Sequence, residues 1–297
     1  MTGEFVLMRF FTTDASNGWS RRRLLGAGAA GAGVLALGAG AATAFGEAPK
    51  AGGEGPPDPA EWELVEKKSD SFNSGGLDTE KWTTDYWHEH SRQFAFKDDN
   101  AKVDDGQLKL WAEEESYNNR KFTAGTVRST FTVGGDSFVE VRAKMIPFAA
   151  KVNSAIWLHK RPKDGADHWA VEIDMQEYHL DSPKAGRTNI HSGFHLWKKK
   201  PDHHEIPDEP NPNEEDVKVN LDDDFHNYGV ERRDGKVTFY FDGDPYWSVE
   251  ATDLGPAYIA TQPRHIILCC NGNAKTPVAS ELPDCMKVDY VRVYTRS

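Results

Sequence analysis

Downstream of Trp62 the chain alternates apolar and polar residues in short runs. Gly-, Asp- and Asn-rich turns break these runs about every ten residues, and no stretch sustains a helical repeat of apolar positions. That pattern predicts an all-β fold, a sandwich or a barrel. Residues 168–177 form the most informative run: Trp169, Val171 and Ile173 fall on one face, able to fill a core, while His168, Ala170, Glu172 and Asp174 fall on the other. Residues 188–197 read as the next strand, with His191 and His195 at even spacing and so on a common face. In the closing run Val288, Tyr290, Arg292 and Tyr294 alternate with Asp289, Val291 and Val293, which predicts a half-exposed outer strand.

Alternation alone would turn Glu177, five positions after Glu172, toward the buried face. A β-bulge at Met175-Gln176 supplies the one extra residue that reverses this parity, and bulges recur beside active sites, where they re-aim a side chain. Glu172, Asp174 and Glu177 then line one cleft. Carboxylates crowded on one face repel, so a protein that holds them there either binds a cation or sets their protonation apart. Glu-x-Asp-x-x-Glu is a weak motif in so acidic a chain, and a solvated acidic strand is the plain alternative. The aromatic and β-branched residues around the hexapeptide weigh against that alternative.

The N-terminus has a different composition. Ser20-Arg21-Arg22-Arg23-Leu24-Leu25 leads into an uncharged Gly/Ala/Leu run that ends at Phe45, with Ala42-Thr43-Ala44 offering a small-residue cleavage site. This predicts a twin-arginine export signal over 1–44 and a periplasmic or extracellular destination. A membrane anchor is the alternative, but a Gly/Ala run is weakly hydrophobic, so no stable membrane association is expected once the signal is removed. Residues 45–60, rich in Gly, Pro and Glu, read as a disordered linker, which leaves 61–297 for one large β domain.

Acidic residues outnumber basic ones 47 to 35, for a net charge of −12. The excess deepens without the signal, where Arg9, Arg21, Arg22 and Arg23 face only Glu4 and Asp14. Long-range repulsion argues against nucleic acid or an anionic membrane as partner. Cys269, Cys270 and Cys285 are too few for a disulfide framework. A bond from Cys285 to one of the adjacent pair is open, and only one could be reached because neighbours on a strand face opposite ways. Zinc is not expected on His191 and His195, because their spacing binds metal on a helix with a Glu beside the first His.

Several segments, in order, resemble glycoside hydrolase family 16. Glu172-Ile173-Asp174-Met175-Gln176-Glu177 matches that family's bulged catalytic signature. Residues 71–82 look like its opening strand and turn, 138–145 like the strand before the catalytic region, and 153–158 like the strand that carries a sugar-stacking tryptophan. Residues 225–231 through 239–243 are similar to the paired strands after the active site, and 286–294 to the closing strand. The resemblance spans nearly all of 61–297. It implies a β-jelly-roll sandwich of two antiparallel sheets, one bent into a concave groove for an extended polysaccharide, and the alternation fits that architecture independently.

By the same resemblance, Glu172 would be the nucleophile and Glu177 the general acid that later activates water. Asp174 would hydrogen-bond the nucleophile. This is the retaining two-carboxylate mechanism, with carboxyl groups about 5–5.5 Å apart and no cofactor required. Sugar rings pack their C–H faces on aromatic rings, and the matched motif makes Trp157 the first candidate platform. Trp87, Tyr178 and Trp197 are further candidates, with core packing as the alternative for each. One of His191 and His195 would hydrogen-bond the sugar, and the structural calcium common in the family points to Asp289. The wording of 153–158, 171–177 and 190–197 looks more like agarases and related red-algal galactan hydrolases than β-1,3-glucanases, which implies an agarase-like endo-hydrolase; separately, a monomer is expected. A loop longer than in typical agarases, with Lys160, Arg161, Lys163 and His168, and the cluster Lys198, Lys199 and Lys200 keep sulfated porphyran or carrageenan open as substrates. A laminarinase-type β-1,3-glucanase and a non-catalytic carbohydrate-binding sandwich are the alternatives.

Overall fold

The computed structural model describes residues 54–160, 170–197, 213–250, 262–273 and 275–297, with backbone alone at 170, 171, 195–197 and 213. Residues 1–53, Arg161, Lys163, His168 and Lys198 to Lys200 lie outside the described residues. Eighteen described strands form two sheets. The larger contains β1 (Trp62–Leu64), β3 (His90–Ser91), β4 (Phe94–Phe96), β5 (Ala101–Asp104), β6 (Gln107–Glu113), β7 (Phe122–Ala124), β9 (Ser137–Lys144), β14 (His226–Arg233), β15 (Lys236–Phe241), β16 (Asp244–Glu250) and β18 (Asp284–Arg296). The smaller contains β2 (Trp82–Thr83), β8 (Thr126–Ser129), β10 (Asn153–His159), β11 (Ala170–Glu177), β12 (Asn189–Trp197), β13 (Asn213–Asp216) and β17 (His265–Asn271), in the order β13-β12-β11-β10-β17-β8-β2. All pairings are antiparallel except β4 with β7.

The two sheets share one core. Val139, Val141, Val291 and Val293 of the larger meet Ile156, Leu158, Ile173, Ile266 and Leu268 of the smaller in a single buried cluster. Alternation then forces the other face of β10, β11 and β17 outward, and that face carries the polar chemistry. The result is the all-β jelly-roll sandwich that the pattern and the resemblance predict.

Three expectations about the fold need correction. The closing strand is not an outer one: β18 lies between β9 and β6. Its register with β9 shifts between Val288 and Tyr290, so Val288 joins Val291 and Val293 in the core instead of sharing a face with Tyr290. The extra residue is Asp289, whose carboxylate pairs with Arg142 Nε at 3.3 Å. Residues 54–60, expected within a disordered linker, dock on the larger sheet. Gly55 N–H donates to Glu140 Oε1 at 2.9 Å, Arg292 holds Glu54 at 3.0 Å, and Pro59–Glu61 closes a 3-10 turn.

All three cysteines are free and buried, so the bond considered for Cys285 is not formed. Burial pushes the Cys269 thiol up to about 12 and Cys285 up to about 11, and raises Cys270 well above the ordinary thiol range. The native protein is therefore expected to give no rapid reaction with a thiol reagent at mildly alkaline pH. Unfolding without reductant should release all three thiols; recovery of only one would reveal a disulfide.

Candidate active site

The register of β11 contains the irregularity that alternation requires. Against β12, Asp174 pairs with Gly193 and Glu177 with His191, so three steps on one strand match two on the other. Against β10, Trp157 pairs with Asp174 and Ala155 with Glu177. Met175 goes into the core and Gln176 is fully buried. A bulge loosens ladder groups that still need partners, and here side chains supply them. Gln176 Oε1 accepts from His191 N–H at 3.2 Å, Gln176 Nε2 donates to the Glu177 carbonyl at 3.1 Å, and Ser192 Oγ donates to the Met175 carbonyl at 2.8 Å. Glutamine suits the place because it donates and accepts at once.

Glu172, Asp174 and Glu177 consequently share the open face with Asn153, Ala155, Trp157 and His159 of β10 and Cys269 of β17. Small residues flank the acids: Ala155 opposes Glu177 and Gly193 opposes Asp174, which leaves room above the strand. Asp174 is buried at 1% exposure, while the Glu172 and Glu177 side chains keep 17% and 22%. The middle acid is covered and its two neighbours can meet a ligand.

The surroundings of the two glutamates differ. Asn153 Nδ2 donates to Glu177 Oε1 at 2.9 Å. The amide cannot turn round, because its Oδ1 accepts the Tyr178 backbone N–H at 2.8 Å. His191 Nδ1 lies 4.0 Å from the other oxygen, Glu177 Oε2. Glu172 Oε2 instead lies 3.7 Å from His159 Nδ1. The His159 ring stacks on Trp157, with centroids 5.6 Å apart, and takes Trp87 edge-on at 5.4 Å. Arg128 covers Trp87 at 5.2 Å, placing a cation at the end of this aromatic row. Tyr86 meets Trp157 edge-on at 6.1 Å. Burial first, then Cys269, Glu172 and Asp174, hold its phenol well above the usual tyrosine range, so it stays a hydroxyl donor.

Of the residues singled out from sequence, Glu172, Asp174, Glu177, Trp157, Trp87 and His191 come together here. Tyr178 does not. With the bulge complete, the position after Glu177 faces the core, and Tyr178 is 2% exposed and packed edge-on against Phe148; it offers no ring to a sugar. The backbone of His195 pairs with Glu172 in the register, but its side chain and that of Trp197 lie outside the described set. Sequence reasoning passed over Asn153, His159 and Tyr86. Extending the Trp157 alternation by two in one direction and four in the other finds His159 and Asn153; Tyr86 comes from the 84–89 loop and carries no local signal.

Residues 62–296 match the family described as beta-porphyranase A-D, GH16 domain. The chain is 28% identical over 268 residues to the kappa-carrageenase of Pseudoalteromonas carrageenovora, an alignment covering 79% of this chain and 65% of that protein. It is also 28% identical over 263 residues to glucan endo-1,3-beta-glucosidase A1 of Niallia circulans, covering 76% of this chain and 37% of that one. The chain thus spans less than two thirds of the length of either relative. Among solved structures, porphyranase B from Zobellia galactanivorans superposes with a TM-score of 0.67 at 20% identity, over 82% of this chain and 96% of that one.

Proposed function

The chain belongs to glycoside hydrolase family 16, a family of endo-glycosidases, and from that premise we propose that it is an exported, retaining hydrolase of a β-linked red-algal galactan of the agarose/porphyran type. The observation that carries the reading is the bulged register of β11, which puts Glu172 and Glu177 on one face with Asp174 between them. The match to a porphyranase domain and the likeness to a carrageenase support a galactan. Arg128 beside Trp87 gives the aromatic row a cation that a sulfate ester could meet. The Arg-Arg stretch ahead of the Gly/Ala/Leu run supports export.

In this mechanism Glu172 attacks the anomeric carbon as the glycosidic C–O bond breaks, and Glu177 gives its proton to the departing oxygen. Asn153 already donates to Glu177 Oε1, so the transferable proton belongs on Oε2. Glu177 then takes a proton from water as the water oxygen displaces Glu172, and two inversions give net retention. Trp157, Trp87 and His159 line the nucleophile's side as stacking and hydrogen-bonding surface. His191 lies on the acid's side.

Purified protein incubated with agarose, porphyran, kappa-carrageenan and laminarin is expected to release reducing ends from a galactan, with the β-anomer appearing first by NMR. Release from laminarin alone would move the substrate to the β-1,3-glucan class of the Niallia relative. Initial appearance of the α-anomer would refute the two-step assignment of Glu172 and Glu177.

A further inference from the structure

We propose that His179, His191 and Glu214 form a divalent transition-metal site that staples edge strand β13 to the rest of the smaller sheet. One donor atom from each of the three lies within 4.8 Å of the others. They reach the spot from three places: the turn after β11, the middle of β12, and the edge strand β13, where Glu214 pairs with His191 in the register. The two imidazole rings lie 4.3 Å apart. His191 is 6% exposed and the Glu214 side chain 15%, so two of the three donors are already held in place. His179 is exposed. A tetrahedral ion about 2.1 Å from each ligand sets the donor atoms about 3.4 Å apart, so a closing movement of about an ångström by one exposed imidazole completes the set.

The chemistry of the donors narrows the ion. Two imidazoles and one carboxylate suit zinc and its neighbours, with a fourth position left for water. Calcium and magnesium take oxygen ligands and are disfavoured. Lys184 Nζ now sits 3.6 Å from Glu214 Oε2, and its side chain is 66% exposed. It acts as a place-holding cation on a largely covered carboxylate and can withdraw into water when a metal arrives. The gain is mechanical as well. Among the described residues β13 pairs with β12 alone, through four residues, and stands last in the strand order. An ion bound at Glu214 and two points inward fastens that strand independently of its ladder.

The test uses tag-free protein stripped with EDTA and titrated calorimetrically with ZnCl2. One equivalent should bind with a Kd in the micromolar range or tighter, and Zn2+ should raise Tm by several degrees where CaCl2 does not. Co2+ should give visible bands of tetrahedral intensity. His179→Ala and Glu214→Gln, both at partly exposed positions, should each weaken binding at least tenfold and abolish the Tm rise. The proposal is overturned if the unaltered protein binds no more tightly than about 1 mM, or if affinity survives both substitutions. None of these readouts uses catalysis, so they stand apart from the hydrolase reading.

Discussion

Glu172→Gln is expected to remove turnover while leaving the fold and polysaccharide affinity in place. The amide has the size of the acid but no anionic oxygen to form the glycosyl bond, and loss of a covalent nucleophile lowers kcat by on the order of 10⁴-fold or more. Binding should change by only a few fold, because the aromatic row of Trp157, His159 and Trp87 is untouched. Reducing-end release and affinity electrophoresis on the same polysaccharide separate the two quantities. A purely carbohydrate-binding protein would bind unchanged and have no turnover to lose. Azide gives a sharper check with Glu172→Ala. It would attack the substrate directly in place of the missing carboxylate, so the product azide should have the configuration opposite to that of the starting glycoside. An azide product of unchanged configuration would reassign the nucleophile.

Glu177→Gln should cost about 10²–10⁴-fold in kcat on polysaccharide, the usual contribution of a general acid. Its signature differs from that of the nucleophile variant. A substrate with an activated phenol as leaving group needs no proton in the first step, so its glycosylation should be nearly spared. Hydrolysis of the covalent intermediate should become slow instead. Added azide should then restore rate and give a product of unchanged configuration, since it attacks the already inverted intermediate. The alkaline limb of the pH–rate profile, which reports loss of the acid's proton, should disappear. If it persists, some other group supplies that proton.

The parts of this molecule that follow a two-residue rhythm were readable from the chain. Trp169, Val171 and Ile173 against Glu172 and Asp174 announced a strand with one dry face, and the odd spacing to Glu177 announced its own remedy, the bulge found in the register. The same rule, carried one residue further, turns Tyr178 inward, where its ring is covered. The bulge at Asp289 gave no such warning, because Val288, Tyr290, Val291 and Val293 are all apolar and either parity looks acceptable. His179 and Glu214 could not be paired from sequence, since nothing local connects a turn histidine to an edge-strand acid far along the chain. Glu54 and Gly55 sit in a Gly/Pro-rich stretch whose composition suggests disorder, yet one salt bridge and one charged acceptor hold it down.

The surplus residue between Asp174 and Glu177 has a genetic corollary. A strand reading Glu-x-Asp-x-Glu would show the same trio of acids from an unbroken ladder, so gain or loss of a single codon here leaves the chemistry of the trough intact. What must come or go with that codon is the tether, the Gln176 amide and the Ser192 hydroxyl, which occupy main-chain atoms that an even ladder would satisfy by itself. The count of letters separating the acids is therefore a poor ruler for kinship, and the direction of their side chains a good one.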